Sequence, residues 1–436
     1  MVELGAAGAA GVVAIPTGRV VEGTLRVPPS KSVSNRYLML ALMVDVPVRI
    51  GDLLEADDTA FFLRAVEALG RQVERGPGGD VQIGRQSELA SDDPVSIDCG
   101  AGGTMLRFLT AALTVLPGRF RLDGSPRLRQ RPVGALVACL RSLGAHIDYL
   151  ENDGYAPLLI EGSTLVGGGA ELDAGESSQY LSAVLMAATR AQEPVEVRVR
   201  ALTSCPYLAI TADALAAFGA RVEAPAEDVL RVTPVDLAPR RPLVVEGDYS
   251  AAAYPAVAAL LSGGRVRLKG LREDSPQGDR RFFDLLQDAG ARVEWYDGAV
   301  EVSGRPGRAP VADLGDVPDQ VPTLAALAPF LDGTTEIRNV GHLRIKESDR
   351  LAATATELTR LGVPVDERAD GLVIEGCWHD ASPPGAPVRV ETYDDHRIAM
   401  SMALVGLRRP GVTIGDPGVV SKSYPNFWRD LGTLLG

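Results

Sequence analysis

A helix that ends in Leu-Gly or a close variant, then a β-like segment, a polar turn and a second β-like segment, occurs five times in this chain. AVEALGRQVERGPGGDVQIG, CLRSLGAHIDYLENDGYAPLLIEG, LAAFGARVEAPAEDVLRVTP, LLQDAGARVEWYDGAVEVSG and ELTRLGVPVDERADGLVIEG carry the marker glycines Gly70, Gly144, Gly219, Gly290 and Gly362, spaced by 74, 75, 71 and 72 residues. A glycine just past the last apolar turn suits a left-handed helix cap, where a side chain would be strained. The hairpin after each helix therefore starts at a fixed point. A sixth marker, Gly432 in WRDLGTLLG, follows 70 residues after Gly362, and four residues remain after it. The N-terminal VVAIPTGRVVEGTLRV, with β-branched residues and a Pro-Thr-Gly turn, is expected to supply the strands of that last unit.

Each unit also has an earlier helix that is apolar all round: YLMLALMV, MLRFLTAAL, YLSAVLMAA, AAAYPAVAAL, TLAALAPF and RIAMSMALVGL. Helices without a polar face belong inside a lobe. The chain is thus expected to be α/β (α+β), with six βαβαββ-like repeats, three per lobe, around buried helices. Residues 27–242 would form the N-terminal lobe, and residues 1–26 with 243–436 the C-terminal lobe. A period near 73 exceeds that of the common solenoid repeats and suits compact α/β modules.

Composition excludes several function classes. Of 436 residues, 57 are acidic and 44 are Lys or Arg, a formal charge of −13, so no broad basic field attracts nucleic acid or an anionic membrane. Cys99, Cys139, Cys205 and Cys377 lie far apart without a CxxC pair and read as reduced, mostly buried thiols. No Lys or Arg precedes Arg19, so the basic leader of a signal peptide is missing and the chain is expected in the cytoplasm. The longest apolar runs, such as 317–331, fall short of the ~20 residues of a membrane helix.

Polar residues gather just before the apolar helices: Ser30-Lys31-Ser32, Gly103-Thr104, Ser177-Ser178-Gln179, Asp248-Tyr249-Ser250, Pro318-Asp319 and Asp394-Asp395-His396-Arg397. Helix N-termini favour anions by roughly 0.3–1 kcal/mol each. Ordinary capping explains the Ser, Thr and Asp. It does not explain Lys31, Arg36, Arg107, Arg131, Lys346, Arg350, Arg397 and Lys422, cations at the helix end where positive charge is disfavoured. Their recurrence predicts an anion-binding cleft. The net charge does not oppose it, because screening acts over ~8 Å while a close pair at effective dielectric 20 is worth ~4 kcal/mol.

Carboxylates stand among these cations. Asp349 and Asp395 read as caps or salt-bridge partners, whereas Asp319 and Glu347 are candidates for moving protons. His396 either donates a proton or braces Arg397. Four scattered histidines in no ligand spacing predict no metal site. PPSKS lacks the glycines of a P-loop, and no GxGxxG opens a helix after a strand, which counts against kinase and dinucleotide chemistry.

PPSKSVSNRYL, SPRLRQRPVG, SSQYLSAVLMAA, GDYSAAAY, VPDQVPTLAALA, RIKESDRL, YDDHRIAM and SKSYPNFW, in this order, resemble the successive motifs of the EPSP synthase family, the 3-phosphoshikimate 1-carboxyvinyltransferases. The resemblance covers nearly the whole chain. It implies the two-lobed enolpyruvyl transferase fold, with the active site in a cleft between the lobes that closes on substrate. The implied reaction moves the enolpyruvyl group of phosphoenolpyruvate to the 5-hydroxyl of shikimate 3-phosphate, in the shikimate pathway of aromatic amino acid biosynthesis. Two small anionic substrates, no cofactor and a monomeric enzyme are implied with it.

Carried over by motif, the shikimate 3-phosphate site falls on Lys31, Ser32, Arg36, Ser177, Ser178, Gln179, Ser204, Tyr207, Asp319 and Lys346. The phosphoenolpyruvate site falls on Lys31, Gly103, Arg131, Gln179, Arg350, Arg397 and Lys422. Lys31, Asp319 and Glu347 become the catalytic candidates: Asp319 takes the hydroxyl proton, and Glu347 and Lys31 serve the enolpyruvyl and phosphate groups. Ala101 stands where many members have Asn, and His342 where some do. A UDP-N-acetylglucosamine enolpyruvyl transferase would usually show a KN pair and a reactive Cys in a Gly-rich loop, whereas this chain has Lys31-Ser32 and no such cysteine. A non-catalytic anion-binding repeat protein would keep the arginines and tolerate loss of Asp319 and Glu347.

Overall fold

The computed structural model describes residues 4, 11–86, 93–202, 204–379, 383 and 385–436. The stretch expected to lack a leader therefore lies, apart from Leu4, outside the described residues before Gly11. The chain forms two compact units, Pro29–Val245 and the pair of segments Met1–Pro28 and Glu246–Gly436. Each has its own apolar core. The strand Leu243–Val244 pairs in parallel with Ile50 and Gly51 and belongs to the continuous unit. Val27 donates its N–H to Lys269 and packs in the other core. Both crossings thus fall two or three residues beyond the positions read from the sequence, because each outgoing segment is held by its sheet to the last residue.

Sheet topology repeats with the sequence. In the continuous unit the second repeat pairs Val95–Asp98 in parallel with Gly118–Asp123, which is antiparallel to Leu158–Gly162, with His146–Tyr149 at the far edge. The third repeat has the same order in Gly168–Asp173, Val195–Arg200, Val229–Val232 and Val222–Ala226. In the first repeat the parallel edge strand is Leu243–Val244, beside Val48–Gly51, Val81–Gln86 and Arg71–Arg75. The discontinuous unit follows the same plan. Glu22–Arg26 is the parallel edge beside Arg265–Lys269, Ala299–Ser303 and Arg292–Tyr296, and Val311–Asp313 is the edge beside Thr334–Arg338, Gly371–Glu375 and Val365–Arg368.

The last sheet differs from expectation in an instructive way. Val12–Ala14 does complete it, antiparallel to Val412–Gly415, which runs parallel to Val388–Val390. Glu22–Arg26 does not join it and supplies the edge of the 265–303 sheet instead. In both units, then, the strand that precedes a crossing pairs in parallel with the first strand formed after the chain comes in. A parallel pair needs a long connection: between Glu22–Arg26 and Arg265–Lys269 it contains the whole other unit, and between Val48–Gly51 and Leu243–Val244 it is the remainder of their own unit.

The marker glycines behave as their positions require. Gly70, Gly144, Gly219, Gly290 and Gly362 all have φ between 80° and 104°. After four of them the next residue's N–H returns to a carbonyl five residues back, as in Ala145 to Leu140 and Val363 to Leu358, which closes the helix. Gly432 is an exception: it lies buried inside the helix Phe427–Leu434 and terminates nothing. Of the cysteines, Cys99 and Cys139 are buried, Cys377 is half-buried, and Cys205 is exposed where a buried thiol was expected. It sits at the polar N-cap of Pro206–Ala217, outside the apolar core.

The helices expected to be central are buried almost throughout. Every residue of His396–Gly406 and Val321–Leu327 is buried, as is Lys31–Leu42 from Val33 onward. Tyr249–Ser262, Val321–Leu327 and His396–Gly406 pack on one another. In the continuous unit, Gly103–Ala112 packs against both Lys31–Leu42 and Ser178–Ala188. That packing brings the polar helix starts together within each unit. Among the described residues no helix is long and apolar enough to cross a membrane.

Candidate active site

The discontinuous unit gathers the starts of three helices into one ionic network. The helix Arg350–Leu361 begins after Asp349, whose carboxylate accepts from the Ala352 N–H, and His396–Gly406 begins after Asp395, which accepts from the Arg397 N–H. Both aspartates are caps, as their positions suggest. The Arg350 guanidinium, 2% exposed, spends all three nitrogens on carboxylates: Nε on Asp395 at 2.7 Å, Nη1 on Asp319 at 2.8 Å and Nη2 on Glu347 at 2.8 Å. Arg397 donates from Nη2 to the other Asp319 oxygen at 2.6 Å and from Nη1 to the Tyr254 hydroxyl at 3.3 Å. Lys422 Nζ lies 3.2 Å from Glu347 Oε1.

Asp319 therefore bridges Arg350 and Arg397, and Glu347 bridges Arg350 and Lys422. Three cations face three carboxylates, so this network is balanced before any substrate arrives. Burial alone would lower the Arg350 pKa, but Asp395, Glu347 and Asp319 outweigh it and hold the guanidinium above its ordinary value. Lys346 ends the turn Gly341–Ile345 beside His342. Burial, and then the charge of Lys346, lower the His342 pKa to about 4 against the pull of Asp319, so this imidazole is neutral at pH 7. His396 is fully buried with Nδ1 3.6 Å from Asp395, a place that suits bracing of the Arg397 turn.

The continuous unit holds the remaining candidates on the starts of its own helices. Ser30 caps Lys31–Leu42 and Ser177 caps Ser178–Ala188. Lys31 Nζ stands 3.5 Å from the buried Asp58. Gln179 is oriented from both ends, its Oε1 accepting from Arg107 Nη1 at 2.7 Å and its Nε2 donating to Thr104 at 2.9 Å; Arg107 Nη1 also reaches Ser177 at 3.3 Å. Arg131 lies directly over Gly103, so close that an added Cβ there would fall 2.4 Å from the guanidinium carbon. Only glycine leaves the arginine that place.

Arg36 is the structural pin of this half. It donates to Thr211 at 2.9 Å, to the Ser32 carbonyl at 3.0 Å, and to Ser182 and the Tyr207 carbonyl at 3.1 Å. It thereby ties Lys31–Leu42 and Pro206–Ala217 to Ser178–Ala188, and fixes Ser32 and Tyr207 together. No carboxylate pairs with it among the described residues, and burial lowers its pKa to about 10. An uncompensated cation at the base of three helices favours an anion nearby. Ser178 is buried in the first turn of its helix, and Ser204 precedes Pro206–Ala217 with φ 56°.

Each unit thus brings its own candidates together: Lys31, Ser32, Arg36, Gly103, Arg131, Ser177, Ser178, Gln179, Ser204 and Tyr207 in one, Asp319, Lys346, Glu347, Arg350, Arg397 and Lys422 in the other. The sequence reading missed Asp58 and Tyr254, which orient Lys31 and Arg397, and named Thr104 only as a polar helix start, where it proves to orient Gln179. Tyr254 is one apolar-helix residue among many by pattern, and only a buried hydroxyl's need for a partner marks it. Asp58 was legible in principle, as a carboxylate in a first turn that capping does not require.

Comparison with known proteins gives the same direction. The family model for EPSP synthase (3-phosphoshikimate 1-carboxyvinyltransferase) matches residues 15–431. The 3-phosphoshikimate 1-carboxyvinyltransferase of Syntrophobacter fumaroxidans (strain DSM 10017 / MPOB) is 43% identical over 421 residues, covering 95% of this chain and 97% of its own. That of Aliivibrio fischeri (strain MJ11) is 39% identical over 431 residues with the same coverage. Among solved structures, EPSP synthase from Acinetobacter baumannii matches with a TM-score of 0.79 at 27% identity over 97% of both chains. The enolpyruvyl transferase NikO from Streptomyces tendae, at 19% identity and a TM-score of 0.77 over 97% of both chains, shares the fold. Repeat, ionic network and full-length similarity converge, and the chain belongs to the EPSP synthase (3-phosphoshikimate 1-carboxyvinyltransferase) family.

Proposed function

We propose that the two groups of cations hold one pair of substrates, and that Lys31, Asp319 and Glu347 move the protons as the enolpyruvyl group of phosphoenolpyruvate passes to the 5-hydroxyl of shikimate 3-phosphate. The methylene carbon of phosphoenolpyruvate gains a proton, and the adjacent carbon becomes cationic. The 5-oxygen attacks that carbon and its proton goes to Asp319. Phosphate then leaves with its bond electrons, and a methyl proton returns to the base that supplied it, giving 5-enolpyruvylshikimate 3-phosphate. Arginine pairs suit the carboxylate and phosphates by bidentate geometry, and fixed cations stabilise the charge that develops.

The observation that carries this reading is the bridging of Asp319 and Glu347. Each carboxylate contacts two of the cations assigned to phosphoenolpyruvate or its phosphate, and a salt bridge alone would need only one. An arriving dianion competes for Arg350, Arg397 and Lys422, and releases the two carboxylates to take protons. Glu347 and Lys31 share the enolpyruvyl and phosphate protons. Gly103 and Arg131 place the second cation group, with Gln179 held ready by Arg107 and Thr104.

Supplying phosphoenolpyruvate with either acceptor, and measuring phosphate together with the enol ether, tests the assignment. Release that needs shikimate 3-phosphate is expected. Release with UDP-N-acetylglucosamine instead, or binding without release, overturns it. Asp319→Asn and Glu347→Gln should each lower kcat by about 10²–10⁴; near-normal turnover in both removes the proton assignment. Saturating shikimate 3-phosphate should also lower the radius of gyration in small-angle scattering, since a dianion that binds cations of both groups selects the state in which it reaches both. The same reading takes the enzyme as a monomer of the cytoplasm, so sedimentation should give the mass of one chain and fractionation should place it there.

A further inference from the structure

Behind Asp319 lies a carboxyl that the reaction above does not use. Asp279, 6% exposed, accepts through Oδ1 from Ser250 Oγ at 3.0 Å and from Gln320 Nε2 at 2.9 Å. Gln320 is fully buried and follows Asp319 in the short turn Pro318–Gln320. Ser250 opens Tyr249–Ser262, the helix whose Tyr254 hydroxyl meets Arg397. The charged groups that act on Asp279 from the elements around it are Asp319, Arg397 and Asp248. Asp279 thus fastens both the turn that presents Asp319 and the helix that supports Arg397.

We propose that Asp279 is a positioning residue for Asp319, locking the Pro318–Gln320 turn through Gln320 and Ser250 so that Asp319 stays bridged between Arg350 and Arg397. Burial, and then the like charge of Asp319, push its carboxyl up to about 7 against the attraction of Arg397. Below pH 7 the group is neutral and acts only through its hydrogen bonds. As the pH rises through 7 it ionises and puts a second negative charge beside the Asp319 and Arg397 pair. Anion binding at Arg397 weakens on that side of the transition.

Two variants of the full-length enzyme separate the parts of this proposal. Asp279→Asn keeps an acceptor for Ser250 and Gln320 but cannot ionise. Between pH 6 and 8 its KM for phosphoenolpyruvate should rise at least about threefold less than that of the unaltered enzyme. Asp279→Ala frees the turn, and kcat should fall about tenfold or more while Asp279→Asn restores it. Profiles of Asp279→Asn and the unaltered enzyme that superimpose overturn the proposal, and this arm decides even if the alanine variant does not fold. A folded alanine variant with unchanged kcat and KM overturns it as well. The proposal rests on Asp319 as the hydroxyl base: a near-normal Asp319→Asn removes that reading by itself, whereas superimposed profiles alongside an inactive Asp319→Asn remove only the role of Asp279.

Discussion

Arg350 shows what a single buried cation demands of its surroundings. With 2% of its side chain exposed, it is tolerable only because Asp395, Asp319 and Glu347 take its three nitrogens. Asp395→Ala should therefore destabilise its unit by about 3 kcal/mol, seen as a lower urea midpoint, because the remaining carboxylates are half-committed to Arg397 and Lys422. Gly103 is the opposite case, a residue needed for what it lacks. Gly103→Ala should leave stability within about 1 kcal/mol, since the neighbour displaced is the mobile end of Arg131 rather than backbone. It should raise the KM for phosphoenolpyruvate by about tenfold or more at little cost to kcat, which steady-state kinetics would read directly. At His342 the effect is on pH. Its folded pKa of about 4 lies below the usual 6.5, so the unfolded chain binds the extra proton between those values. Stability is complete above pH 6.5 and is lost as the pH falls towards 4, by on the order of 2 kcal/mol. His342→Gln should keep that stability, and urea midpoints of the two proteins across the same range would check it.

Whole elements here are terminated and aimed by short signals. The five capping glycines were readable from spacing, and their positive φ values follow from the turn that joins each helix to its hairpin. Gly362→Ala should cost about 1 kcal/mol through the strained φ of 95°, measurable as a shift in thermal unfolding. Gly432 shares the motif but lies buried inside the helix Phe427–Leu434 and ends nothing. The Leu-Gly motif alone does not tell the two cases apart: Gly432 takes a place within a helix, whereas the other five take a positive φ. Polar helix starts were equally readable, yet their convergence was not. The network of Asp319, Arg350, Asp395 and Arg397 joins residues up to 78 positions apart, and depends on how three buried helices pack.

For the molecule as a whole, continuity of chain decides which part is autonomous. Pro29–Val245 contains three complete four-stranded sheets and one contiguous core, so a fragment of residues 29–245 should fold cooperatively by circular dichroism and hydrogen exchange. Ending the fragment at residue 242 removes the edge strand Leu243–Val244 and should expose Val48–Gly51 to faster exchange. The other unit needs both of its segments, since Val12–Ala14 and Glu22–Arg26 fill two of its sheets. The sequence by itself determined the repeat, the buried helices, the capping glycines and the polar residues at helix starts, because periodicity and turn chemistry act over a few residues. Which sheet Glu22–Arg26 joins, which carboxylates bridge Arg350, and which hidden groups such as Asp279 and Tyr254 stand behind the site were decided only by the tertiary structure. Those outcomes depend on side chains far apart in sequence being desolvated together, and a buried charge or hydroxyl takes whatever partner the packing brings within reach.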